Sequence, residues 1–207
     1  MKKTLLSAAL ATVLLTSCSS TKNTAANDLA VKNPIQTTLD LTKVENDKVP
    51  VTVNPGRFTT EKVVYRLPRV VQGTYSVSDF GKYVDNLKAL DYNGNELQVT
   101  KVDTNTWEIS NATKLDKITY LVNDTFDLEV QGGIGGEVPF SPAGTNIEPT
   151  NYVLNLHGFI GYFDSLKNNQ YKLDVISDSK HKRTSALQVV DAKPSEDGNK
   201  TTSRYFG

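Results

Sequence analysis

A single cysteine, two histidines and one tryptophan stand among 207 residues. One thiol forms no intramolecular disulfide, so the folded part of the chain relies on its core. Two histidines could at best make one H-E-x-x-H helix, which holds zinc between imidazoles one turn apart with a carboxylate base beside them. Here they stand far apart, in Leu156-His157-Gly158-Phe159 and in Lys180-His181-Lys182-Arg183. Neither setting is helix-like, and the cations around His181 oppose a bound metal ion. No sign of charge dominates, with 23 Lys and Arg against 23 Asp and Glu. Without Lys2 and Lys3 the balance is 21 to 23, near −2, which favours no nucleic acid or other polyphosphate partner. After residue 15 there is no membrane-length apolar run, heptad or solenoid-type repeat.

What the chain has in quantity is Thr, Val, Tyr, Asn and Asp, β-branched and aromatic strand formers mixed with turn formers. From residue 35 the pattern alternates, with Ile35, Thr37, Leu39 and Leu41 on one face and polar residues on the other, as in a half-exposed strand. Further strands are expected at 49–53, 58–67, 106–109, 117–122, 126–130, 152–156, 170–177, 185–190 and 201–206. Asn93-Gly94 lies between two alternating runs and predicts a hairpin with a type I′ turn. Ser78 is placed to cap one short helix carrying Phe80 and Tyr83, weakened by Gly81. The fold class is therefore all-β, an antiparallel two-layer β-sandwich with one short helix.

The amino terminus has a different character. Lys2 and Lys3 precede an apolar stretch at residues 5–15, long enough for a signal h-region and too short to span a bilayer. It ends in Leu15-Thr16-Ser17-Cys18, which resembles the lipobox of bacterial lipoproteins and places the only cysteine at the acylation position. Residues 1–17 are thus expected to be a signal peptide, 18–33 a lipidated polar tether and 34–207 the β-sandwich domain. Each acyl chain adds about 0.8 kcal/mol per buried CH₂, so a multiply acylated Cys18 would anchor stably. The expected location is the bacterial cell envelope, lipid-anchored and facing the periplasm.

Catalytic chemistry finds little footing. An acylated Cys18 leaves no thiol nucleophile, and no G-x-S-x-G elbow singles out a serine. Gly132-Gly133-Ile134-Gly135-Gly136 lacks the Lys-Ser/Thr pair of a phosphate loop and reads as a flexible crossing. Asp124 with Asp127, and Asp174 with Asp178, lack a calcium-loop frame and read as solvated strand edges. Tyr65, Tyr75, Tyr83, Tyr92, Trp107 and Tyr120 fit core and cross-strand packing more simply than sugar stacking. No catalytic, metal-binding or cofactor-binding residue is assigned.

The stretch from Val64 to Phe80, with Leu67-Pro68, Gln72-Gly73-Thr74-Tyr75 and Asp79-Phe80, resembles the amino-terminal signature of metallopeptidase family 61, the glycyl aminopeptidase type. There the order is Leu-Pro, a few residues, Pro-Gly-Ser-Tyr, then a charged residue and an aromatic. The likeness continues through Val84, Leu87, Ala89, Asp91, Gly94, Leu97, Lys101 and Trp107, and again at residues 118–122. Leu67, Pro68, Gly73, Tyr75 and Phe80 carry the motif. Gln72 stands in place of the usual proline and loses its fixed φ, while Thr74 replaces serine and keeps a hydroxyl.

The resemblance implies a non-catalytic amino-terminal domain that flanks the peptide cleft and supports a zinc peptidase domain. Family members place H-E-x-x-H, and so the zinc, in that downstream domain; none is expected in these residues. The ending Arg204-Tyr205-Phe206-Gly207 favours a fragment of such a peptidase. The rival expectation is a lipid-anchored module binding a glycan or a protein, favoured by aromatics exposed on one sheet face.

Overall fold

A computed structural model describes residues 33–126 and 143–207. Cys18, the leader, nearly all of the tether, the glycine-rich run and residues 127–130 lie outside them. Fourteen strands appear among the described residues: β1 Ile35–Asp40, β2 Lys48–Asn54, β3 Lys62–Arg66, β4 Val84–Asp91, β5 Glu96–Leu97, β6 Val99–Asp103 and β7 Thr106–Ser110 precede β8 Leu115–Asn123, β9 Asn146–Glu148, β10 Asn151–Val153, β11 Tyr162–Phe163, β12 Tyr171–Asp178, β13 Val189–Pro194 and β14 Lys200–Phe206. They form an eight-stranded sheet in the order β13-β14-β12-β1-β2-β8-β4-β5, a four-stranded sheet β11-β3-β7-β6 and the hairpin β9–β10.

The two larger sheets make the expected sandwich. Alternation in β2 buries Val49, Val51 and Val53, and β8 buries Leu115, Ile118, Tyr120 and Val122. Facing them are Val63 and Tyr65 of β3 and Trp107 and Ile109 of β7. This is the inward half of a period-2 pattern on two packed sheets. Pro50 is tolerated inside the large sheet because the β1 ladder stops at Leu39↔Val51, one residue short of it, while the β8 ladder runs on through Pro50↔Leu121.

Several expectations need correction. The sheet is mixed, since β1 runs parallel to β12 with Ile35 opposite Tyr171. The strand expected at 58–67 is confined to Lys62–Arg66, the one at 152–156 to Asn151–Val153, and the one at 185–190 starts only at Val189. No α-helix occurs among the described residues. The helix expected from Ser78 is a single 3-10 turn, Phe80–Tyr83, entered through Asp79 with φ 48°, a left-handed residue that interrupts a helical approach.

The Asn93-Gly94 hairpin exists, but its turn is longer than type I′. Gly94 alone has positive φ, at 84°, and its N–H donates to the Asp91 carbonyl at 3.0 Å. The Asp91 carboxylate accepts from the N–H groups of Asn93 and Asn95, both at 2.8 Å. Its side chain takes over turn stabilisation that a two-residue loop gets from backbone geometry.

A buried polar chain joins the layers. Tyr65 and Tyr120 hydroxyls meet at 2.8 Å, Tyr120 donates to the Phe159 carbonyl at 2.5 Å, and the Gly161 N–H donates to the Tyr65 oxygen at 3.0 Å. Gly161 is required there: a Cβ would lie 2.2 Å from the Arg66 carbonyl oxygen and 2.7 Å from the Tyr65 ring. Of the four carboxylates expected to be solvated, Asp178 is exposed and Asp127 lies outside the described residues, whereas Asp124 and Asp174 are structural. Asp124 is buried and accepts the Phe126 N–H at 2.5 Å and the Ile147 N–H, and Asp174 receives a two-pronged pair from Arg204 at 2.7 and 2.8 Å across β12 and β14.

Candidate functional site: the motif loop

Between β3 and the 3-10 turn at Phe80–Tyr83, residues 67–79 form a loop whose base is zipped shut. Ser78 and Asp79 N–H groups donate to the Arg69 carbonyl at 3.0 and 2.9 Å, and Phe80 N–H to the Pro68 carbonyl at 3.3 Å. Leu67 and Phe80 are buried at the two feet, and the Leu67 N–H donates to the Asn105 carbonyl at 3.0 Å. The motif residues Leu67, Pro68 and Phe80 therefore hold the loop to the sandwich.

At the tip, Thr74 N–H donates to the Val71 carbonyl at 3.2 Å, and the Thr74 hydroxyl donates to the same oxygen at 2.7 Å. Gly73, at the third position of this turn, has φ 89°, the sign that a type II turn requires there. Gln72 occupies the second position, where proline is favoured. The turn forms without the proline, and the hydroxyl conserved in kind by Thr74 is the group that braces it.

Residues 74–80 then alternate as in a strand, but with inverted polarity. Thr74, Ser76, Ser78 and Phe80 point inward, with Ser78 fully buried, whereas Tyr75 is 85% and Val77 44% exposed. Val70, across the tip, is 49% exposed. The Ser76 and Ser78 hydroxyls have no hydrogen-bond partner among the described residues. Tyr75 also holds φ at 54°, a left-handed conformation that costs a non-glycine residue of order 1–3 kcal/mol.

A polar cleft of about 480 Å³ runs beside the loop, bordered by Arg66, Arg69, Asp79, Asp103, Asn105 and Tyr162 among others. Asn105 is its keystone and was not singled out in the sequence. Its carboxamide oxygen accepts the Gly81 N–H at 2.9 Å, and its amide donates to Asp79 at 2.8 Å. Gly81 lets this happen, since a Cβ would lie 2.0 Å from the Thr104 carbonyl oxygen. Arg66 binds both oxygens of Asp164 at 3.1 Å and donates to Thr106 at 2.6 Å, while Arg69 pairs with Asp79 at 3.5 Å. The Asn105 N–H holds the Asp103 carboxyl below its ordinary value, helped by Thr106. The charges are matched within the cleft, which suits it to hydrogen-bonded recognition.

The other sequence candidates do not converge. His157 is exposed on a 3-10 turn, and His181 packs edge-on against Tyr152 with ring centroids 5.4 Å apart. Among the described residues no three His, Cys, Asp or Glu side chains come together to hold a metal ion. Zinc therefore has no fitting donor set among the described residues. Of the aromatics, Tyr65, Tyr83, Trp107 and Tyr120 are buried in the core, whereas Tyr75 and Tyr92 are exposed on separate loops. Arg57 lies over the Tyr92 ring at 4.7 Å.

An aminopeptidase N family protein from Idiomarina loihiensis superposes with a TM-score of 0.59 at 14% identity, over 83% of this chain and 29% of that one. An M1 zinc metallopeptidase from Deinococcus radiodurans aligns at 0.40 and 10% identity, over 84% of this chain and 38% of its own. The chain thus spans well under half the length of these proteins. No match was found among curated protein sequences. The family model for the Peptidase M61 N-terminal domain matches residues 36–205, and the chain belongs to that family.

Proposed function

We propose that this chain is a membrane-anchored, non-catalytic amino-terminal domain that docks a zinc peptidase domain through its motif loop and forms one wall of the peptide cleft. The observation that carries the reading is the inverted polarity of residues 74–80. A strand-like segment that buries hydroxyls and presents Tyr75 and Val77 to solvent spends stability on an apolar outer face. Tyr75 in its left-handed conformation adds to that cost, as expected where a side chain is held for a partner. Family membership supplies the partner class, a separate H-E-x-x-H domain whose own residues would hold zinc and supply the Lewis-acid chemistry. The matched charges of the adjoining cleft suit the polar backbone of a short peptide.

Acylation of Cys18 would hold the assembly at the envelope membrane, with the polar tether giving it reach. Labelled palmitate should enter the wild-type precursor and not Cys18→Ser. The docking claim is tested by titrating the full chain with the H-E-x-x-H domain encoded by the same genome. Tyr75→Ser with Val77→Ser should weaken binding about tenfold or more, as truncation of a buried aromatic anchor does. Unchanged affinity, or no association of the wild type, would remove the reading. A glycan-binding role is the alternative; exposed Tyr75 and Tyr92 sit on different loops, which gives it no shared stacking platform.

A further inference from the structure

A second cleft lies over the large sheet at β12 and β14, toward the edge away from β4 and β5. The inner face there carries Leu173, Val175 and Ser177 of β12 and Tyr205 of β14, and it is roofed by residues 150–156 and 180–187. The cavity between floor and roof is about 470 Å³, within the range of about 300–1,000 Å³ typical of small-ligand sites. Leu41, Leu154, Leu156 and Leu187 complete its apolar lining.

The mouth has the opposite character. Lys180, His181, Lys182 and Arg183 line it and no acidic residue does. Asp178, the last residue of β12, accepts the Lys180 backbone N–H at 2.8 Å. Among the described residues none of the three side-chain cations is ion-paired, and Arg183 donates instead to the Ser203 hydroxyl. Inside, the Ser177 hydroxyl is 2% exposed and, like His181 Nδ1, has no hydrogen-bond partner among the described residues. A buried hydroxyl without a partner is costly unless a ligand atom satisfies it.

We infer that this cleft binds an aliphatic monocarboxylate, a fatty-acid-like anion whose chain lies on Leu173, Val175 and Tyr205. Its carboxylate meets the cations of residues 180–183 and the free groups of Ser177 and His181. Apolar depth, an all-cationic mouth and unpartnered polar atoms together specify a ligand with one anionic end and one hydrocarbon end. The site is separate from the motif loop, and its occupancy does not depend on peptidase docking.

The test uses the acylated full chain in phosphatidylcholine nanodiscs, photolabelled with a diazirine-bearing dodecanoate and mapped by mass spectrometry. Adducts should concentrate in residues 150–156, 173–177 and 180–187 and be competed by dodecanoate. Charge reversal at the exposed rim, Lys180→Glu with Lys182→Glu and Arg183→Glu, should cut cavity labelling about tenfold, as expected for losing a charge-assisted contact. Val175→Trp should block labelling by filling the cavity, and circular dichroism establishes that each variant is folded. The inference is overturned if adducts scatter over the apolar surface or if dodecanol competes as well as dodecanoate. It is equally overturned if the rim variant labels like wild type, or if a hydrophobic peptide with a free carboxylate competes where dodecanoate does not.

Discussion

Strand β2 and the segment 74–80 follow the same two-residue rhythm with opposite content. In β2 the inward positions are Val49, Val51 and Val53; in the loop they are Thr74, Ser76 and Ser78, while Tyr75 and Val77 face out. Alternation sets which side chains share a face, and the surroundings decide which face is buried. The loop's feet, Leu67 and Phe80, and the Asn105 clamp fix its facing against the preference of its side chains. Such a conflict between local preference and tertiary placement is where function is expected.

The sharpest way to break the comparison is one substitution made twice. Val51→Asp buries an unpaired charge and should cost about 4 kcal/mol or more, enough to unfold the domain in urea titrations. Val77→Asp should change stability by no more than about 0.5 kcal/mol. Equal effects would mean the two faces are not opposite in kind. Next in size is Tyr120→Phe, which strips the donor from the Phe159 carbonyl and the partner from Tyr65. It should cost about 1–3 kcal/mol.

The same tyrosines set a pH dependence. Burial pushes the hydroxyls of Tyr65 and Tyr120 well above the ordinary tyrosine value, and those of Tyr83 and Tyr171 up to about 12. A raised folded value favours the neutral form in the fold. That stability is complete below the unfolded value of about 10 and is lost as pH rises from there towards the folded values. Melting temperature should hold steady up to that point and fall beyond it, with a shallower fall in Tyr120→Phe. The smallest expected effect has the opposite sign: Tyr75→Asn, which tolerates a left-handed φ, should stabilise the isolated chain by about 0.5 kcal/mol.

Much of the framework was readable from the sequence, because β1, β2 and β8 from Ile118 onward alternate cleanly and each buries one face. The parallel pairing of β1 with β12 was not, since it joins Ile35 to Tyr171 and no local pattern encodes so distant a partner. Asn93-Gly94 announced its hairpin, while the turn type depended on Asp91 capping two backbone donors. Ser78 had the chemistry of a helix cap, but Gly81 serves close packing on Thr104. The motif residues were visible as a family signature. Asn105, which locks their loop, is one asparagine among many until the fold brings it to Asp79 and Gly81.

The most direct measurement is the solvent reactivity of Tyr75, read by residue-resolved covalent footprinting of the full chain with and without the H-E-x-x-H domain of the same genome. A docking face predicts that Tyr75 and Val77 are labelled strongly alone and protected in the complex, while Tyr92 stays reactive throughout. Unchanged labelling of Tyr75 in a complex that demonstrably forms would contradict the assignment of the motif loop as the docking surface.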